Sequence, residues 1–240
     1  MSGDPAITDN QSSLFLSHAY SQIILFGDSI SEQSENQTYG FGFAPALRNA
    51  YIRRLDVMNR GFGGYTSEMA LRVLPDFFPS ASQTKVCLVL VFFGANDATL
   101  PENLQHVPLP RYVECLEQIV QHDSVTAHEA NVILVTPGPV DEWSLQSVDS
   151  HGHAPLSRTA ANTKRYADAC RELGVKLDVP VVDLWSRFMH AVGWRAGEPL
   201  AGSREIERNS KLGELLSDGA SFAPSRSSRP DFATYADDLI

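Results

Sequence analysis

Three short clusters of small and polar residues stand out for the chemistry their side chains support: Gly27-Asp28-Ser29, Asn59-Arg60-Gly61-Phe62-Gly63-Gly64 and Gly94-Ala95-Asn96-Asp97. Ser29 offers a hydroxyl nucleophile. The backbone N–H groups of Ser29 and Gly63, joined by the Asn96 side-chain amide, make three donors able to hold a developing oxyanion. A glycine at 63 lets the backbone come close to that charge. Together these are the parts of an acyl-transfer site. Taken singly, each cluster is an ordinary turn, because Gly-Asp-Ser and glycine-rich loops recur wherever chains reverse. Their joint placement gives them weight: each follows an apolar run directly.

Five such runs punctuate the chain, at residues 22–26, 55–58, 86–93, 132–135 and 179–184. The third is apolar at every position, which predicts a strand buried on both faces of a parallel sheet. Helical spacing fills the intervals. Val113, Leu116, Ile119 and Val120 share one face over residues 111–120, and residues 159–173 are rich in helix formers. Alternating strands and helices predict a doubly wound α/β fold. Open sheets of that kind bind ligands just past the carboxyl ends of their strands, where all three clusters fall. Thr136-Pro137-Gly138-Pro139 follows the fourth run and is expected to shape the pocket wall. Residues 141–155 are polar and read as a surface loop or lid. Residues 221–231 are rich in Ser, Arg and Pro and read as poorly ordered.

Neighbouring polar residues have quieter roles. Asp28 is expected to accept nearby backbone N–H bonds. Asp97 is expected to brace its turn, and Ser31 and Ser67 read as helix-start residues.

Composition narrows the function classes. The 240 residues are 43% hydrophobic and 20% charged, enough for a sizeable core. The formal net charge of -10 argues against nucleic acid, or an anionic membrane, as the main partner. Cys87, Cys115 and Cys170 are scattered, with no CxxC pair, and read as buried free thiols. Residues 1–11 are polar and lack the pattern of a signal peptide, and no run approaches the length of a membrane span. The expectation is a soluble, cytoplasmic protein. A phosphate-cradling nucleotide site at Gly61–Gly64 is a weaker reading, since neither G-x-G-x-x-G nor a Walker pattern is present.

The sequence resembles the SGNH (GDSL-like) hydrolases, and within them the isoamyl acetate-hydrolysing esterases of fungi and plants. The likeness rests on Ile24-Leu25-Phe26-Gly27-Asp28-Ser29-Ile30-Ser31, on Asn59-Arg60-Gly61-Phe62-Gly63-Gly64-Tyr65, and on Phe93-Gly94-Ala95-Asn96-Asp97-Ala98. Narrower likenesses are Gln105-His106-Val107-Pro108-Leu109, the segment 136–142, and Val181-Val182-Asp183-Leu184-Trp185. The resemblance implies a three-layer, flavodoxin-like α/β fold whose central parallel sheet has five strands, with helices on both faces. It implies Ser29 as nucleophile, Ser29, Gly63 and Asn96 as oxyanion donors, and no metal or organic cofactor. The implied partner is a small-molecule ester, with a homodimer left open. Residues 21–219 form the implied hydrolase domain, flanked by a polar segment at 1–20 and an atypical tail at 220–240.

The last family block, Asp-x-x-His, is broken. Asp218 and Gly219 stand in place, but Ser221 occupies the position of the histidine. A serine hydroxyl is a poor nucleophile near neutral pH without a base, and Asp218 would only orient that base. His151 and His153 are the best substitutes, because their loop follows the fourth strand. His18, His106, His122, His128 and His190 fit less well. The pair His151-x-His153 lacks a convergent third ligand for a metal. The expected function is therefore a serine esterase acting on acetate-type esters, impaired by Ser221. The competing reading is an inactive binding or regulatory protein that keeps the pocket. Two origins fit this tail, a degenerate family member or an alternative or misread coding segment, and the abrupt change after Gly219 favours the second.

Overall fold

A computed structural model describes residues 20–38, 41–145 and 156–217. Its strands are β1 (Ser21–Gly27), β2 (Leu55–Gly61), β3 (Val86–Phe92), β4 (Asn131–Val135) and β5 (Val181–Val182). They form one sheet in the order β2-β1-β3-β4-β5, every pair parallel. This is the flavodoxin-like order, whose switch point lies between β1 and β3. All five apolar runs of the sequence supply a strand. The helices are α1 (Ser29–Gln33), α2 (Phe43–Ala50), α3 (Ser67–Phe77), α4 (Leu109–Val120), α5 (Asp123–Thr126), α6 (Ala160–Leu177), α7 (Leu184–Ala191) and α8 (Ser210–Ser217).

Alternation along β1 divides the core. Ile24 and Phe26 point to one face, where they meet Val89, Val91, Leu74 of α3, Leu116 of α4, and Tyr166 and Leu173 of α6. Ile23 and Leu25 point to the other, against Ala44 of α2, Tyr51 and Val57. Ala167 on α6 joins Trp185 and Met189 of α7 and Leu212 of α8 in a third cluster.

The uniformly apolar β3 departs from expectation in one respect. Val86, Val89 and Val91 are buried, but Cys87, Leu88 and Leu90 are only partly so. Three helices stand on one face of this strand, whereas the other face is met chiefly by the smaller α2 cluster among the described residues. Of the cysteines, Cys115 and Cys170 are buried in α4 and α6, and Cys87 is half-buried. No described helix is long and apolar enough to cross a membrane.

Candidate active site at the carboxyl edge of the sheet

The site starts where β1 ends. Gly27 and Gly61 are paired in register at the carboxyl ends of β1 and β2. A Cβ on Gly27 would lie 2.1 Å from Ser31 Oγ, and one on Gly61 2.0 Å from the Glu32 backbone nitrogen. Two adjacent glycines thus open the space into which the first turn of α1 drops. Asp28 caps that turn, its Oδ1 accepting the Ile30 N–H at 2.9 Å. This holds Ser29 at the first helical position, part-exposed at the sheet edge. An N-terminal helical N–H has no intrahelical acceptor. Among the described residues, neither the Ser29 N–H nor its Oγ is bonded.

The second cluster is tied to the first through the Phe62 N–H, which donates to the Gly27 carbonyl at 2.8 Å. Gly63 is exposed, and its N–H is also unbonded among the described residues. A Cβ there would lie 2.6 Å from Glu32 Oε2, so α1 and the glycine loop sit side by side. Gly64 turns the chain with φ +78°, and Gln105 Nε2 donates to its carbonyl at 2.8 Å.

The third cluster leaves β3 through Gly94, whose φ of +125° disfavours any side chain. A Cβ at 94 would also come within 3.0 Å of Pro137, which sets the 136–139 segment against this turn. Asn96 is 6% exposed. Its Nδ2 donates to the Tyr65 carbonyl at 2.8 Å, joining the third cluster to the second, and its Oδ1 accepts from Arg158 Nη2 at 3.0 Å. Asp97 is fully buried and accepts from both the Ser67 N–H (2.9 Å) and the Ser67 hydroxyl, anchoring the start of α3.

The structure therefore gathers Ser29, Gly63 and Asn96 at one edge, beside the β1/β3 switch point. Asp28 accepts a neighbouring backbone N–H and Ser67 starts α3, as their positions suggested, whereas the Asp97 carboxylate is held mainly by Ser67 across the site rather than by its own turn. Beneath the site lie two buried carboxyls. Burial pushes Asp28 from 3.8 up to about 7, opposed by the Ile30 N–H, raised further by Asp97 and lowered by Arg158. Burial likewise pushes Asp97 up to about 6 against the Ser67 bonds. Each keeps one oxygen, Oδ2, without a partner among the described residues.

Asp218, Ser221, His151 and His153 lie outside the described residues. Of the four described histidines, three lie away from this edge. His128 is buried at the opposite end of the sheet, where its Nδ1 accepts from the Val86 N–H at 3.0 Å and its Nε2 meets the Pro79 carbonyl. His122 caps α5, which precedes β4, and His190 is exposed at the end of α7. His106 is on the site's side of the sheet, its Nδ1 held at 2.6 Å from the Thr99 carbonyl. No cluster of three metal-ligating side chains occurs among the described residues.

Asp141 and Glu142, at the start of the stretch that reads as a surface loop, are instead buried, at 5% and 6% exposure. Glu142 accepts from the Ala160 N–H (2.7 Å) and the Arg204 N–H (3.0 Å), and Asp141 from Ser144 and Arg208. These carboxylates are buried because each satisfies backbone or cationic donors brought in from distant segments. Arg158 and Glu142 were not foreseen, since no local pattern marks either. Gln105 stood in a quoted motif without an assigned role.

The sequence matches the GDSL-like lipase/acylhydrolase family over residues 25–202. A GDSL esterase/lipase of Arabidopsis thaliana is 37% identical over 182 residues, covering 72% of this chain and 74% of the relative. The human isoamyl acetate-hydrolyzing esterase 1 homolog is 34% identical over 169 residues, covering 69% and 67%. Among solved structures, the lipase/acylhydrolase from Enterococcus faecalis superposes with a TM-score of 0.51 at 22% identity, covering 86% of this chain and 99% of that one. The strand order, the three clusters at one edge and these similarities agree: the chain belongs to the GDSL-like lipase/acylhydrolase family.

Proposed function

We propose that this chain is built to hydrolyse small carboxylic esters, with Ser29 as nucleophile. What supports the reading is that the turns bearing three donor groups and the Ser29 hydroxyl all leave the carboxyl ends of the adjacent strands β1, β2 and β3 and are linked by hydrogen bonds. Two of these donors are backbone N–H groups without partners among the described residues, and the third is an amide clamped from both sides. Ser29 Oγ would attack the ester carbonyl carbon and pass its proton to a base. The carbonyl oxygen, now an oxyanion, would accept from the Ser29 N–H, the Gly63 N–H and Asn96 Nδ2. Collapse would expel the alkoxide, which takes that proton from the base and leaves as the alcohol, and water then cleaves the acyl-serine to the acid and free Ser29. Donors aimed at charge that forms only in the intermediate are worth about 3–4 kcal/mol each in serine hydrolases.

The base is the weak part. Ser221 stands where the family's histidine belongs, leaving Asp218 nothing to orient. In the subtilisin triad, loss of the histidine alone costs about as much as loss of all three members. We therefore expect slow turnover from the chain as it stands. Acetate esters of short alcohols are the proposed substrates, on the strength of the relatives named for isoamyl acetate. The proposed hydrolase domain spans residues 21–219. A second reading, an inactive member that binds esters without turning them over, is favoured by one fact. His122, His128 and His190 sit away from the nucleophile's edge or are committed to other bonds.

Hydrolysis of p-nitrophenyl acetate by the parent, Ser29→Ala and Ser221→His tests both. Slow parent activity, lost in Ser29→Ala and raised roughly 10³-fold or more by Ser221→His, supports the esterase reading. Turnover indifferent to Ser29 refutes it, and inertness of parent and Ser221→His alike favours the binding protein.

A further inference from the structure

We infer that Arg158 is a positioning residue that decides which way round the Asn96 amide stands, and so whether the site presents a donor or an acceptor to the substrate oxygen. The inference deepens the esterase reading and rests on it for its catalytic meaning.

An asparagine amide is nearly symmetric in shape, but its two ends are opposite in function: one accepts, the other donates. Turned over, Asn96 would offer a carbonyl oxygen where the oxyanion forms. Two contacts forbid that. A guanidinium only donates, so the end facing Arg158 Nη2 at 3.0 Å has to be Oδ1. A backbone carbonyl only accepts, so the end facing Tyr65 O at 2.8 Å has to be Nδ2. Reversal would set oxygen against oxygen and donor against donor. With one Nδ2 hydrogen spent on Tyr65, the other is left for a ligand.

Arg158 is well fixed for the task. Its Nε donates to the Ala95 carbonyl at 2.6 Å while Nη2 takes Asn96, so two adjacent residues of the turn are gripped by one planar fork. Its backbone pairs with Thr99 in an isolated antiparallel bridge, and the Leu100 N–H donates to the Ser157 carbonyl at 2.8 Å. Thr159 then caps α6, and Asn162 of α6 donates to the Ala98 carbonyl at 2.8 Å. The start of a long helix is in this way bolted to the loop that carries Asn96. A lysine would keep the charge but lose the fork, since an ammonium is a single flexible point of donors.

The test uses the full chain with Arg158→Lys and Arg158→Met, read first by the side-chain amide resonances of Asn96, assigned by their loss in Asn96→Ala. The expected result is slow hydrogen exchange of that pair in the parent. It should become about tenfold faster or more in both variants, while β3 backbone amides stay protected. Introduced into the Ser221→His chain, Arg158→Met should lower kcat about tenfold or more with little change in KM. The same substitution should cost nothing further in an Asn96→Ala background. Unmoved Asn96 resonances in a folded Arg158→Met chain overturn the inference. So does a kcat loss that persists without Asn96, which would make Arg158 act through its charge. If no chain shows Ser29-dependent hydrolysis, the esterase reading falls, and the exchange measurement still decides whether Arg158 holds the amide.

Discussion

Replacing Asp28 by Asn should flatten part of the pH dependence of stability, because this carboxyl is buried with only one of its oxygens bonded. In the folded protein it holds its proton up to about pH 7, against 3.8 for the ordinary group. Between those values the folded state binds a proton that the unfolded state has released. Folding stability from this group is therefore complete below about pH 4 and is lost as pH rises through 7. At about 1.4 kcal/mol per pH unit the ceiling is roughly 4 kcal/mol, and relaxation around the charged form makes about 2–4 kcal/mol the practical range. Asparagine keeps an oxygen for the Ile30 N–H but cannot ionise, so it removes the dependence while retaining the cap. Urea unfolding of parent and Asp28→Asn from pH 4.5 to 7.5 reads the effect. The stability of the parent minus that of the variant should fall as pH rises. Asp97, itself raised to about 6, is present in both chains and largely drops out of the difference. A difference that is flat, or that grows with pH, would show that Asp28 is not a protonated acid in the fold.

Two structural substitutions extend the argument. Glu142→Ala removes the acceptor of the Ala160 and Arg204 N–H groups and should cost about 2–4 kcal/mol in urea unfolding. A loss under about 0.5 kcal/mol, as at an ordinary surface position, would refute the clamp. Gly61→Ala drives a Cβ to 2.0 Å from the Glu32 backbone, which cannot swing aside as a side chain can. It should cost about 3 kcal/mol, lowering Tm by roughly 6–12 °C, whereas Gly138→Ala, with nothing within 4 Å, serves as the near-silent control. Equal melting temperatures for the two would show that α1 does not depend on the paired glycines.

Much of the site was legible because its signals are local. A serine after Gly-Asp, a glycine-rich turn and an asparagine after a uniformly apolar run are readable in windows of a few residues. Residue type there is dictated by backbone conformation and by the donors that acyl transfer needs. The five strands were legible for the same reason: burial in a parallel sheet writes itself as short apolar runs. The broken Asp-x-x-His block, too, is read directly from the sequence.

What tertiary structure decided are the interactions whose partners are far apart in the chain. Nothing near Arg158 announces that its fork will grip Asn96, 62 positions away, because the bridge at Thr99 that brings them together is a product of folding. Glu142 sat in a stretch that reads as surface until the Ala160 and Arg204 N–H groups are seen converging on it. The half-covered face of β3 is likewise invisible in eight apolar letters, which report a preference for burial but not which helices arrive to provide it. The sequence by itself determined which groups are present and the backbone turns that bear them. Only the packed structure decided which way the Asn96 amide points and which carboxyls have their pKa raised, since orientation and desolvation come from neighbours that folding alone assembles.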